Sequence, residues 1–441
     1  MRRLAPIARA AAAVLVALVA MPIAARAQGE PPPKPAGVTG VISGSGFTKI
    51  KIAVPDPSTE PLLAAMAGEI GRTIRDDLAY SGYFEVVDPV LYPLVSTSPE
   101  KQLEAKWASL GAASVVFGTL KVTSGRVDLR AHLMNTSPTA SLFDRRYGNP
   151  TDLVRRVAHQ VADDIVQQLT GQQGIALTWI AFVSKHGKGK EVYLMDYDGQ
   201  RIRRITTTGS ISLMPTWSPV AQRLAYITWR TGAPSIDILE SDGRIARART
   251  AGGTMNISPD WSPDGRLIVY ASNASGNAEI YVLDTTTGQS SRLTNSPAID
   301  TSPSYSPKGR EIAFTSDRSG SPQIYVMDAE GLNVRRVTTS DDYADAAAWS
   351  PKGDKLAYAS RRDGRFDIVV IDIATGGAQT VTHGEGNNEN PRWSPDGRHI
   401  VFASSREGSY DLYTMRADGT GVRRLTRGGD CFTPDWSRRV P

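Results

Sequence analysis

One spacing constrains this chain more than any other feature: an aromatic residue followed by serine recurs at Trp217, Trp261, Tyr305, Trp349, Trp393 and Trp436, at intervals of 44, 44, 44, 44 and 43 residues. A second ladder keeps step with it, at Glu191 to Asp196, Ile236 to Leu239, Glu279 to Asp284, Gln323 to Asp328, Asp367 to Asp372 and Asp411 to Arg416. Six copies of each mean six structural units, and a period of this size belongs to repeat architectures. Within one unit four short segments alternate or run apolar: Pro259 to Pro263, Leu267 to Ser272, Glu279 to Asp284 and Ser291 to Thr294. Asp264-Gly265 and Thr287-Gly288 punctuate them, where glycine permits the positive φ of a tight reversal. Four antiparallel strands per period is the content of a propeller blade. A helical solenoid needs amphipathic helices of ten or more residues, which the prolines and glycines here forbid.

The order of strands predicts how the ring closes. The repeat opens on Trp179 to Ser184, which matches second strands, and ends on Pro434 to Ser437, which matches first strands. The last segment is expected to complete the sheet that the first one starts, removing free sheet edges. Residues 175–441 therefore read as an all-β six-bladed β-propeller.

Upstream, residues 47–172 read as an α/β domain with a mixed sheet. A strand at Lys49 to Val54 is stopped by Pro55, and Leu62 to Tyr80 carries Leu63, Met66, Ile70, Ile74 and Leu78 along one helical stripe. A strand at Phe84 to Val87, a helix around Leu103 to Leu110, and strands near Ser114 to Val122, Val127 to Met134 and Leu142 to Tyr147 follow. A long helix is expected from Thr151 to Leu169, with Asp152 in its first turn, where a carboxylate suits the helix dipole. Gly171 to Gly174 hands the chain to the propeller.

The first residues speak to compartment. Arg2, Arg3 and Arg9 precede an apolar run from Ala10 to Val19, and Ala25-Arg26-Ala27 supplies small residues for cleavage after Ala27. Residues 1–27 are thus read as a secretory signal and 28–46, with Pro31-Pro32-Pro33, as a flexible arm. No later apolar stretch is long enough to span a bilayer, so a periplasmic protein without a membrane span is expected. The formal charge of +5 does not point to nucleic acid: setting the signal's four arginines aside from 50 basic residues leaves 46 against 45 acidic ones.

Chemistry is sparse. There is no Walker loop, dinucleotide fingerprint, nucleophile elbow or zinc spacing, and His132, His159, His186, His383 and His399 are scattered. The single Cys431 reads as a small buried residue. No cofactor, no metal and no catalytic residue is assigned. Because strands alternate direction, the links from fourth to next first strand and from second to third open on one face, where binding is expected. The inner loops there carry Asp300, Asp341, Asp342, Asp345, Glu385, Glu389 and Asp430 against Arg427. The outer loops carry Lys185, Lys188, Lys190, Arg230, Arg318, Arg361, Arg362, Arg365 and Arg406. An acidic mouth ringed by basic residues follows, suited to a protein partner. The rival reading is a periplasmic propeller enzyme, a lyase or lactonase, with a metal at that mouth.

The Trp-Ser-Pro-Asp-Gly and Ile-Tyr-Val-Met-Asp blades, the preceding domain with Ile52 to Pro55 and Asp76 to Phe84, and the His159 to Thr170 helix followed by Gly171 together resemble the TolB family across essentially the whole mature chain. That resemblance implies a non-enzymatic component of the Tol-Pal envelope system, supporting outer-membrane integrity and constriction at division. It implies that the propeller face binds the lipoprotein Pal and that the amino-terminal extension binds the inner-membrane protein TolA. Met255, Asn256, Asp300 and Thr301 match family positions associated with Pal, and Asp345, Glu389 and Asn390 follow by blade symmetry. Val38, Thr39, Val41 and Ile42 are the corresponding arm positions for TolA, here behind a proline-rich spacer and interrupted by Gly40.

Overall fold

The structure, a computed structural model, describes residues 48–92, 107–186, 189–240, 244–248, 250 and 252–439. The expected signal, the arm with Val38, Thr39, Val41 and Ile42, and the first half of the helix expected around Leu103 to Leu110 lie outside the described residues, while Trp107, Ala108 and Ser109 are helical.

In the amino-terminal domain, β1 (Ile50–Ala53) lies between β2 (Phe84–Val86) and β3 (Ser114–Thr123) and runs parallel to both. From β3 the chain meanders antiparallel through β4 (Arg126–Thr136) and β5 (Thr139–Pro150), giving the order β2-β1-β3-β4-β5. The mixed sheet is the expected one. Helix α1 (Ala64–Ser81) follows a 3-10 turn at Pro61–Leu63 and buries Ile70, Ile74 and Leu78; Leu63 and Met66, the head of the predicted stripe, pack against the same core at its edge. Helix α2 (Val154–Thr170) packs alongside α1 and sets Val157, Val161 and Ile165 into the same core. Asp152 falls in a 3-10 turn just before α2 rather than in its first α-helical turn.

Among the described residues, the propeller consists of six four-stranded antiparallel sheets. Blades I to VI have as inner strands Cys431–Trp436, Ser212–Trp217, Asn256–Trp261, Asp300–Tyr305, Tyr343–Trp349 and Asn388–Trp393. Every recurring aromatic therefore ends an inner strand, which is why the 44-residue interval marks the blade so cleanly. The ring closes as the strand order requires: Cys431–Trp436 pairs antiparallel with Trp179–His186, with Cys431 opposite Ser184 and Trp436 opposite Ile180. Hydrogen bonds beyond this ladder staple the seam, the Ser184 hydroxyl donating to Gly429 O at 2.8 Å at one end. Trp179 N donates to Ser437 Oγ and Ser437 N to Trp179 O, both at 2.8 Å, and the Trp436 indole donates to Thr178 Oγ1 at 2.8 Å.

Adjacent blades are tied by the same aromatics. The indole N–H of Trp261, Trp349 and Trp393 each reaches back to an inner-strand carbonyl of the preceding blade, at Thr216, Ser304 and Ala348. Two inward carboxylates brace forward: Asp435 accepts from Trp217 N at 2.7 Å and Asp260 from Tyr305 N at 2.8 Å.

A second repeated device anchors the short outer strand of five blades. In these blades a threonine (Thr206, Thr294, Thr338, Thr382, Thr426) accepts from a third-strand backbone N–H while its hydroxyl donates to the acid or amide one residue before that N–H. In blade IV these partners are Ile324 N at 3.0 Å and Gln323 Oε1 at 2.7 Å, both sealed from water. Orphaning buried polar groups costs about 1–3 kcal/mol. Thr338→Val is therefore expected to destabilise the propeller by about that amount, read as a lower urea midpoint with an unchanged slope.

Candidate protein-docking face

The geometry of the candidate docking face starts from a strained backbone position. Each inner strand shifts register once against its neighbour, and each carries one non-glycine residue in the left-handed region: Met214, Ser258, Ser302, Ala346, Asn390 and Thr433, with φ between 43° and 57°. Such a bulge leaves one residue without a strand partner and re-aims its neighbours. Here it turns these six residues onto a cavity of roughly 100 Å³ at one end of the channel.

Just before the bulge the side chains sort cleanly. The first residue of the segment (Ser212, Asn256, Asp300, Ala344, Asn388, Cys431) is buried between blades. The residues on either side of it, six and four positions before each recurring aromatic, stay at least partly exposed and surround the mouth. Around blades II, III and IV they are Ile211 and Leu213, Met255 and Ile257, Ile299 and Thr301; around V, VI and I they are Tyr343 and Asp345, Asn387 and Glu389, Asp430 and Phe432. Because inner strands follow one another round the ring in blade order, each set is a continuous arc. The mouth is thus half apolar and half acidic and aromatic.

This corrects the expected acidic ring with a basic surround. Asp300 is fully buried, and Arg318 from the outer loop of its own blade folds over to pair with it at 2.9 Å. Asp341 is also buried and receives the hydroxyls of Tyr358 and Ser360. Arg406 pairs with Glu385 at 2.8 Å, and Arg230 reaches the buried Asp237 at 3.2 Å. The physical reason is the strand's period of two: an acid at the first position points into the blade interface, where an uncompensated charge is too costly, so a basic loop residue neutralises it. Part of the segregation by loop type is thus internal pairing, at Asp300 and Glu385. Lys188 lies outside the described residues.

Of the residues singled out from sequence, Thr301, Asp345, Glu389 and Asn390 border the mouth, Met255 stands beside it, and Asn256 and Asp300 support it from beneath. Asn256 donates to Pro234 O, and Asp345 accepts from Thr315 Oγ1 at 2.7 Å. Burial raises Glu389 above the usual carboxylate range, the Tyr410 hydroxyl at 3.0 Å opposes this, and the nearby charge of Asp345 adds to it. Tyr410 in turn packs on Phe432, over which Lys190 lies at 4.8 Å. On blade V, Tyr343 meets Phe366 edge-on and carries Arg361 on its face. These aromatics escaped the sequence reading, which looked for charge; tabulating residues six and four before each recurring aromatic would have found Tyr343 and Phe432 along with the apolar arc.

Deeper in the channel, Arg392 stands 3.5 Å from Asp435. Burial pushes Asp435 up to about 7, with Arg392 the main opposing charge, and burial also raises Asp260. Beyond this throat the channel widens at the other end into a cavity of about 380 Å³ walled by the recurring aromatics and prolines. Among the described residues no group of three or more His, Cys, Asp or Glu is placed to hold a metal ion. Cys431 is buried in the closing strand, and that burial raises its thiol.

The amino-terminal domain packs against the opposite end. Tyr80 stacks on His399, Arg398 lies over the Tyr83 ring at 4.0 Å, and Arg155 pairs with Asp198, all at the turns away from the mouth. No helix among the described residues is long and apolar enough to cross a membrane.

Comparison with known proteins adds a second line of evidence. The TolB beta propeller domain matches residues 166–366 and 343–440, and the TolB amino-terminal domain matches 39–142. The Tol-Pal system protein TolB of Geobacter sulfurreducens is 38% identical over 191 residues, 42% of this chain and 43% of its own length. That of Bordetella avium is 33% identical over 196 residues, 44% of this chain and 43% of its own. The chain spans less than half the length of these relatives in the match. The crystal structure of TolB from Acinetobacter baumannii superposes with a TM-score of 0.75 at 28% identity, covering 88% of this chain and 97% of that one.

Proposed function

This chain belongs to the TolB family, and from that premise we propose that it is a periplasmic adaptor of the Tol-Pal system that works by binding rather than by catalysis. Its propeller mouth captures the lipoprotein Pal, its arm engages TolA through Val38, Thr39, Val41 and Ile42, and the two contacts support outer-membrane integrity and constriction at division.

The observation that carries the reading is the divided mouth. A surface that is apolar over three blades and acidic with aromatic anchors over the other three fits a protein segment with an apolar side and a cationic or amide side. The contact residues are Met255, Thr301, Asp345, Glu389 and Asn390, with Asn256 and Asp300 holding the loops from beneath. Tyrosines such as the partly exposed Tyr343 and Tyr410 are of the kind that concentrates binding energy at interfaces.

The test is cross-linking in intact cells from a photoreactive residue at position 257 on the apolar arc, followed by mass spectrometry. An outer-membrane lipoprotein is expected as the main adduct, and a reactive residue at the exposed Lys308, on the opposite face, is expected not to yield it. Recovery of no lipoprotein from position 257 would remove the capture role.

A further inference from the structure

We propose that Asp77, His159 and Tyr197 form a proton-operated latch that sets how rigidly the amino-terminal domain is held on the propeller. The three residues come from α1, from α2 and from the turn that follows the third strand of blade I, so one cluster ties both helices to the ring. Asp77 is its hub: Oδ2 accepts from His159 Nδ1 at 2.7 Å and Oδ1 accepts the Tyr197 hydroxyl at 2.6 Å. Asp77, His159 and Tyr197 are all buried, and the His159 ring meets Tyr197 edge-on.

The imidazole's other nitrogen is what makes this more than a packing contact. His159 Nε2 is buried with no hydrogen-bond partner, and so is Asp196 Oδ2, whose carboxylate lies close enough for its charge and that of His159 to interact. The groups facing His159 are Asp77 from α1, Arg155 from its own helix α2, and Asp196, Tyr197 and Asp198 from the propeller turn. Arg155 is already committed, to Asp198 and to Thr73 Oγ1. Arg201 stands 4.0 Å from Asp196, and Tyr80 packs on Tyr197. Behind Asp77, Asp163 accepts from Ala176 N and Leu177 N with Arg439 at 3.6 Å. The balance around the ring is anionic, so a second proton on His159 is attracted by carboxylates belonging to both bodies.

Burial works against the charged imidazole, but the charge and hydrogen bond of Asp77 outweigh it, and His159 is raised above its ordinary value. A histidine raised in the folded state contributes stability that is complete below its unfolded value, about 6.5, and is lost as pH climbs through the folded one. The seam is therefore tightest in mild acid and loosens toward alkaline pH. Asp163, pushed up to about 7 by burial, acts in the same direction, its contribution declining between the unfolded carboxylate value and about 7.

The experiment places spin labels at the exposed Arg72 on α1 and the exposed Glu330 on blade IV of the full mature chain, leaving the buried Cys431 in place, and measures the separation at about pH 6 and about pH 8.5. In the unaltered chain a narrow distribution at low pH broadens and lengthens at high pH. His159→Asn, which cannot carry the charge, loses most of the step and keeps only the small part that Asp163 supplies. Tyr197→Phe, which removes the cross-seam hydroxyl but keeps the His–Asp pair, broadens it at both while retaining the step. An unaltered chain whose distribution ignores pH, a His159→Asn chain that keeps the full step, or a Tyr197→Phe chain as narrow as the unaltered one at low pH overturns the latch.

Discussion

Removing residues 431–441 is expected to abolish the propeller's cooperative unfolding transition, not to trim one blade. The segment is short, but it supplies the whole inner strand of blade I and with it the ring's circular continuity. Without it the Trp179–His186 strand loses its inner partner and becomes an unpaired edge facing the channel, Trp217 N loses the Asp435 carboxylate, and Thr178 loses the Trp436 indole. Those losses fall on blades I and II at once, and a blade cannot bury its own faces without its neighbours. The graded version is Trp436→Ala, which leaves the backbone pairing but empties a buried indole site, for a cost of about 3–5 kcal/mol. Against a total stability of roughly 5–15 kcal/mol that single change brings the domain close to its limit. Calorimetry separates the two cases: a lowered but cooperative transition for Trp436→Ala, and none for the truncation. A truncated chain that still melts cooperatively at an unchanged temperature would mean that the ring does not depend on its closing strand.

This closure was legible before any coordinates, because it follows from which strand of the repeat comes first and which comes last. The aromatic spacing marked where each inner strand ends, for Trp261 and Trp393 as for Tyr305, but not where it starts: the strand expected at Pro259 to Pro263 is Asn256–Trp261, because the bulge lets the pairing run on past the proline. Side-chain direction just before the bulge was not legible. Asp300 and Thr301 are neighbours in sequence and were grouped together, yet one is sealed under Arg318 and the other borders the mouth. Charge alone cannot tell an acid that meets a partner from one that meets an arginine of its own blade; register can. The bulge residues carried a faint signal of their own, since five of the six are followed by proline at 215, 259, 303, 391 and 434. The seam between the two bodies was invisible for a different reason: Asp77, His159 and Tyr197 are far apart in the chain, and each is unremarkable in its local context.

The divided mouth makes a prediction that a uniform acidic ring would not. Thr301→Arg sets a long cation into the apolar arc, between Ile257 and the acidic side, while its backbone position at the open end of blade IV tolerates the change without disturbing the core. Lipoprotein capture is expected to weaken by about 2 kcal/mol or more, roughly 30-fold, mostly through faster dissociation, because a desolvated cation there has no partner. Glu389→Lys acts on the other arc. It replaces the Tyr410 hydrogen bond and reverses the charge beside Asp345, so its effect should fall on association rate and should shrink as salt is raised, the signature of lost steering. Measuring both variants by surface plasmon resonance at low and high ionic strength, with circular dichroism to confirm an intact fold, distinguishes the arcs: Thr301→Arg insensitive to salt, Glu389→Lys sensitive. If the two variants respond to salt alike, the halves of the mouth do not act as separate surfaces, and if neither weakens capture, the lipoprotein docks elsewhere on the ring.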